Sequence, residues 1–206
     1  MIRVLGHEIN NSLAPIHSIA ATLREQIARP VHDADWEEDL ESGLAVIGGR
    51  SAALARFMAA YTQLARLPEP TRTQVEIGEW VRRVAQMETR LRVEVVAGPP
   101  VTVSADADQL DQLLINLVRN AADASLETGG SVRVGWTTSG SSVEVWIRDE
   151  GLGLPETANL FVPFFTTKPG GSGIGLVLSR QIAEAHGGTL SLTNGDGCEA
   201  RVRLPR

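Results

Sequence analysis

Residues 165–176 read Phe165-Thr-Thr-Lys168-Pro-Gly170-Gly171-Ser-Gly173-Ile-Gly175-Leu176, and an apolar helical stretch over Ile174–His186 follows at once. Glycines at this density open backbone conformations closed to other residues. Placed just before a helix, they also leave free N–H groups pointing at the helix N-terminus, where an anion binds well. A phosphate is the natural guest, and Lys168 adds a point positive charge beside it. The spacing is not G-x-x-x-x-G-K-[ST], so this is no Walker loop, and no strand precedes it as a dinucleotide fingerprint requires.

Reading outward, residues 150–173 form a long loop rich in Gly, Pro and Thr, of the kind that is functional when it sits inside a compact domain. It begins at Asp149-Glu-Gly151-Leu-Gly153, directly after an alternating strand over 142–149. That strand pairs with another over 131–137 through Ser139-Gly140-Ser141. Closing strands over 189–193 and 199–204 flank Asn194-Gly195-Asp196-Gly197. Upstream, Asp106–Ser125 is a long amphipathic helix carrying Asn116 and Asn120 on one face. Buried amides are costly unless bonded, so one of them suits a hard cation such as Mg²⁺ and both suit neighbouring loops. A helix over 78–90 precedes it, with short strands over 92–97 and 101–104 around a Gly98-Pro99-Pro100 turn.

The first 67 residues differ. Ile2, Ile9, Ile16 and Leu23 recur every seventh residue, with Leu13, Ala20 and Ile27 between them, which predicts a helix with a wide apolar seam. Arg29-Pro30 ends it. A second helix starts near Asp33 or Asp35, with Asp35, Glu37, Glu38 and Asp39 where the dipole favours them. Its seam runs through Leu40, Leu44, Ile47, Leu54, Met58 and Tyr61. Two helices cannot cover such a seam alone, so a four-helix bundle from two chains is expected. Pro68 and Pro70 then break the helix. The expected order is a dimerising hairpin over 1–67, a linker over 68–73, and an α/β sandwich with a mixed, mainly antiparallel sheet over 74–206.

Composition narrows the class. Apolar residues are 43% and charged residues 21% of the 206, ordinary for a soluble globular chain. The net charge of −6 gives no basic field, so neither nucleic acid nor an anionic membrane is an expected partner. The lone cysteine, Cys198, excludes an internal disulfide and fits a reducing compartment. Of the 19 basic residues only Lys168 is lysine. A genome rich in arginine codons accounts for the rest.

Together these stretches resemble a known pattern. Asn116-Leu-Val-Arg-Asn120-Ala-Ala-Asp123-Ala resembles the N box of the histidine-kinase ATP-binding domain, and Asp149–Gly153 its G1 box. Phe161-Val-Pro-Phe164-Phe165-Thr-Thr-Lys168 resembles the F box, and Gly171–Leu176 the G2 box, followed by Ala185-His186-Gly187-Gly188. His7-Glu8-Ile9-Asn10-Asn11-Ser12-Leu13 resembles the H box of two-component sensor kinases, the nitrogen-regulation type above all.

The resemblance implies a GHKL-type ATP-binding fold and a protein-histidine kinase that uses ATP and Mg²⁺. His7 would be the phosphoacceptor, with Glu8 as its base and Asn11 assisting hydrolysis of a phosphorylated receiver. The nucleotide would be held by Asn116, Asn120, Asp149, Gly151, Gly153, Phe164, Thr167, Lys168, Gly171, Gly173, Gly175 and Leu176, with Asn120 on the metal. Implied partners are a second copy of the chain and a response-regulator receiver, in the cytoplasm, where the full-length protein would be soluble or membrane-anchored. A degenerate dimeric scaffold and another ATPase or serine kinase of the superfamily are the alternatives. Three departures stand out. Ser12 stands where many relatives have proline. Asp123 stands where many have a basic residue, which puts weight on Lys168. His7 lies only six residues from Met1, so an excised core is expected.

Overall fold

The structure, a computed structural model, describes the chain except Met1, residues 31–34, Arg66, Glu156, Ala158, Pro169 and Gly170. The side chains of residues 2–8, Ser12, Ala60 and Gln63 also lie outside the described set. The chain divides into two compact units, residues 1–62 and 63–206.

The first unit is built from α1 (Ile2–Ile27) and α2 (Trp36–Ala65), whose division from the second unit falls after Thr62. Glu37, Glu38 and Asp39 occupy the first turn of α2, where negative charge offsets the helix dipole. Pro15 lies inside α1, where its ring nitrogen has no N–H to donate. The two helices meet at Gly43, where a methyl group would sit 2.8 Å from Leu23 Cδ2. Leu23 is buried, but Leu13, Ile27, Leu44, Val46 and Met58 remain exposed.

The second unit is a two-layer sandwich. Its helices are α3 (Ile77–Met87), α4 (Ala107–Thr128) and α5 (Gly175–Ala185). Its five-stranded sheet takes β2 (Val93–Val96), β4 (Val132–Ser139), β5 (Ser142–Asp149), β7 (Cys198–Pro205) and β6 (Thr189–Asn194), in that spatial order. All neighbours are antiparallel except β2 with β4, which run parallel. Period-two alternation sends Val134, Val143, Val145, Ile147 and Val202 toward the helices. Leu110, Leu113, Leu114 and Leu117 of α4, Trp80 and Val81 of α3, and Leu178 and Ile182 of α5 meet them. Each fully buried aliphatic side chain contributes about 1.5–3 kcal/mol.

One strand adds to the expectation. β1 (Thr73–Glu76), whose single apolar residue Val75 gives no alternation to read, pairs antiparallel with β3 (Thr102–Ala105) in a separate two-stranded sheet. The Gly98-Pro99-Pro100 turn thus links strands of two different sheets. Its prolines have no N–H to extend a ladder, and the Trp136 indole instead donates to the Pro99 carbonyl at 2.8 Å.

The segment after α2 is fastened to the sandwich. Gln109 Nε2 donates to the Pro68 carbonyl at 2.9 Å, and the Thr71 N–H donates to Asp106 Oδ2 at 2.8 Å. Asp106 is also the N-cap of α4, accepting from the Gln109 N–H through Oδ1, worth about 1 kcal/mol. Its own N–H donates to His186 Nε2 at 3.0 Å, while His186 Nδ1 lies 2.8 Å from the Ile182 carbonyl. With Nε2 accepting, Nδ1 is the ring nitrogen that donates to the Ile182 carbonyl. It ties the start of α4 to the end of α5.

Candidate active site

A cavity of about 500 Å³ opens between α4, the sheet and the 150–173 loop, a volume suited to a small organic ligand. Ile147, Leu154, Leu160, Phe165, Leu192 and Ala200 supply apolar wall.

At one end stands Asp149, the last residue of β5. Its Oδ1 accepts from the Gly151 N–H at 3.0 Å and from the Cys198 N–H at 3.1 Å. Two backbone amides on one oxygen fix the carboxylate and leave Oδ2 as the acceptor for a ligand. Gly151 is required by close approach, since a methyl group there would meet Ala124 of α4 at 2.5 Å. Burial, with Asp149 and Glu199 nearby, pushes the Cys198 thiol up to about 12 from its ordinary value. Cys198 is thus a neutral thiol on the cavity wall.

The other end is polar. Asn116 and Asn120 face the cavity one turn apart on α4. Lys168 Nζ lies 2.8 Å from Asp123 Oδ2 and 3.4 Å from Asn120 Oδ1. The second oxygen of Asp123 accepts from Arg90 Nη1 at 2.6 Å. Arg90 is itself gripped by Glu88, Nη2 to Oε2 at 2.7 Å and Nε to Oε1 at 3.0 Å. Burial raises the Asp123 carboxyl, but the hydrogen bonds from Lys168 and Arg90 outweigh it and hold the group below the usual carboxylate range.

The loop that delivers Lys168 is pinned at its neck. The Phe164 N–H donates to the Gly173 carbonyl at 2.9 Å. Phe164 takes a left-handed φ of 69° and Gly173 one of 64°. Only glycine fits at 173, because a side chain there would collide with the Phe164 backbone. A phenylalanine in this region costs about 1–3 kcal/mol. Within the loop the Lys168 N–H donates to Thr166 Oγ1 at 3.1 Å, and the Gly171 N–H donates to the Lys168 carbonyl at 3.1 Å. α5 then starts at Gly175 with its orphan N–H groups close to the cavity. A methyl group at Gly175 would lie 3.8 Å from the Asn116 amide.

The structure therefore brings Asn116, Asn120, Asp149, Gly153, Thr167, Lys168, Gly171, Gly173, Gly175 and Leu176 to one cavity. Gly151 and Phe164 stand behind the wall, with Phe165 facing in. Phe161 lies under the Arg180 guanidinium, 3.8 Å from its ring centroid. Asn11 is exposed on α1. His7 and Glu8 belong to α1, but their side chains lie outside the described residues. Arg90 and Cys198 carry no motif signature, and sequence reasoning missed both. The donor set suits a hard divalent cation: the oxygens of Asn120 and Asp123 already converge on a positive charge, the Lys168 ammonium.

Comparison with known proteins gives the same picture. Residues 105–206 match the family model described as histidine kinase-, DNA gyrase B- and HSP90-like ATPase. The nitrogen regulation protein NtrY of Azorhizobium caulinodans is 28% identical over 98% of this chain and 28% of its own length. The sensory histidine kinase/phosphatase NtrB of Azospirillum brasilense is 29% identical over 92% of this chain and 51% of its own. The solved catalytic domain of histidine kinase ThkA is 30% identical with a TM-score of 0.59, over 65% of this chain and 95% of that domain. ThkA solved in complex with the response regulator TrrA superposes over 100% of this chain and 60% of its own, with a TM-score of 0.67 and 22% identity, a likeness of fold. The chain thus spans between about a quarter and a half of the curated relatives it matches first.

Proposed function

Because the chain belongs to the histidine kinase-, DNA gyrase B- and HSP90-like ATPase family, on its sensor histidine kinase branch, we propose that it is the catalytic core of a sensor histidine kinase. It phosphorylates its own His7 from ATP and passes the phosphoryl group to an aspartate of a receiver protein. The observation that carries this reading is the two-ended cavity. An amide-fixed Asp149 stands at one end, and Asn116, Asn120, Lys168 and the start of α5 meet at the other.

Asp149 Oδ2 accepts from the exocyclic amine of adenine, and Ile147, Leu154 and Leu192 hold the ring. Gly153 lets the backbone come close to the base. Lys168 and the backbone amides at Gly171, Gly173 and Gly175 hold phosphate oxygens, while Thr167 and Leu176 line their path. Asn120 would hold Mg²⁺, which would neutralise phosphate charge, with Asn116 close by on the preceding turn. The imidazole of His7 attacks the γ-phosphorus. An N–P bond forms as the bond to the ADP oxygen breaks, and Glu8 accepts the imidazole proton.

Residues 1–67 form the phosphoacceptor and dimerisation hairpin in this reading, and residues 74–206 the ATP-binding domain. The exposed Leu13, Ile27, Leu44 and Met58 are the surface a second copy covers. The linker around Pro68 and Pro70, the hinge expected from sequence, is hydrogen-bonded to the sandwich through Pro68, Thr71 and Arg72. Asn11, one turn after His7, positions water against the phosphorylated receiver in this reading; the relative NtrB is named a kinase/phosphatase. A core that uses ATP and a receiver substrate would work in the cytoplasm. No helix among the described residues is long and apolar enough to cross a membrane.

Incubation with ATP labelled at the γ-phosphate tests the reading. The expected label is stable in alkali and lost in acid. An acid-stable label would mark a hydroxyl acceptor and a different kinase. No label together with no nucleotide binding would mark a scaffold.

A further inference from the structure

In the described structure the Lys168 ammonium sits between two oxygens of α4, Asp123 Oδ2 at 2.8 Å and Asn120 Oδ1 at 3.4 Å. Asp123 follows Asn120 by three residues, so both face the same way. The other Asp123 oxygen is held by Arg90 at 2.6 Å, and Arg90 is fixed on two sides by Glu88. This chain of contacts aims Oδ2 into the cavity. A carboxylate at the phosphate end of a nucleotide pocket repels the phosphates unless a cation stands between them. Lys168 cannot serve both partners fully. When its ammonium turns to a phosphate, Asp123 Oδ2 is left without that cation.

We infer that Asp123 Oδ2 and Asn120 Oδ1 together bind the divalent cation that enters with the nucleotide, and that Lys168 holds this cation position until then. The inference rests on the nucleotide-binding reading above and adds a ligand to it. A divalent ion takes the place of Nζ between the two hard oxygens, and Nζ is released to the phosphates. Arg90 is a positioning residue: it touches neither nucleotide nor metal, and it orients the carboxylate that does. The Arg90–Asp123–Lys168 row gives the cavity two cations around one anion before the ligand arrives.

The test is ADP binding to the whole chain, by calorimetry, with Mg²⁺ and with EDTA. The unaltered chain binds ADP more tightly with Mg²⁺. In Asp123→Asn that gain falls at least tenfold, while binding in EDTA is unchanged or tighter because a negative charge has gone. Asp123→Glu, which keeps the carboxylate, retains most of the gain. A second measurement uses Mn²⁺ alone, followed by electron paramagnetic resonance. Lys168→Ala binds Mn²⁺ more tightly than the unaltered chain, and the Asp123→Asn, Lys168→Ala double variant loses that binding. A Mg²⁺ gain that survives Asp123→Asn overturns this inference alone. So does Mn²⁺ binding by Lys168→Ala that the second substitution leaves untouched. Failure of the unaltered chain to bind ADP in either buffer overturns the nucleotide reading and this inference with it.

Discussion

Leu13, Ile27, Leu44 and Met58 of the hairpin are 46%, 55%, 55% and 39% exposed, whereas Leu110, Leu113 and Leu114 of α4 are wholly buried. Both regions are helical and both have apolar periodicity. The difference lies in what stands opposite. The sandwich offers α4 a five-stranded sheet and two more helices, so its core closes within one chain. Within the hairpin each helix has the other opposite it, and Leu13, Ile27, Leu44 and Met58 stay exposed, the face that the proposal assigns to a second copy. Apolar periodicity therefore specifies a face but not its partner. The same contrast separates the chemistry. The cavity is a property of the sandwich alone, while the proposed acceptor His7 belongs to the hairpin.

The largest effect expected on the sandwich side is chemical. With the Cys198 thiol at about 12 and an ordinary thiol at 9.0, its thiolate fraction at pH 8 is lower by roughly a thousandfold. Alkylation of Cys198 in the folded chain should be slower by about that factor than in the denatured chain, and should quicken as pH rises toward 12. Comparable rates in the two states would show that Asp149 and burial do not protect it. Next in size, Asp149→Asn removes a charged acceptor and is expected to weaken ATP binding about ten- to a hundredfold, with the dimer of the hairpin unchanged. Coupled loss of both would break the division between regions.

On the hairpin side, Leu44→Glu places a charge on the open seam. We expect at least a tenfold weaker dimer by sedimentation, with the melting of the sandwich unmoved. The smallest effect is that of Asn11→Ala. Dephosphorylation of the phosphorylated receiver falls several-fold, while autophosphorylation stays nearly intact. Equal loss of both rates would remove Asn11 from its proposed role.

The elements were legible where local signals agree. Apolar spacing marks α4 over Asp106–Ser125 from sequence alone, and the helix runs on to Thr128 before Gly129 caps it. Alternation marks β4 and β5. Pairing is another matter. The strands on either side of Gly98-Pro99-Pro100 are legible, yet β2 and β3 enter different sheets, because strand partners are chosen by distant residues. β1 offers one apolar residue, Val75, and so no alternation to read. In the cavity, amides, aspartate and glycines announced themselves by type and spacing. Phe164 is the phenylalanine expected at the site, yet Phe165 lines the cavity, while Phe164 takes a left-handed φ at the loop's neck. Arg90 sits far from every motif, and its position beside Asp123 comes only from the packing of α3 against α4. The lone lysine stands at the cavity, as its place among the motifs suggests, but its contact with Asp123 is a proximity in space that no spacing rule reveals.

The central claim joins the two regions: the nucleotide is bound by the sandwich and consumed on His7. Side-by-side labelling of the unaltered chain and His7→Gln with γ-labelled ATP, with ADP affinity measured on both, tests it most directly. The account predicts acid-labile label on the unaltered chain, none on His7→Gln, and the same ADP affinity for the two. Label retained on His7→Gln would contradict it.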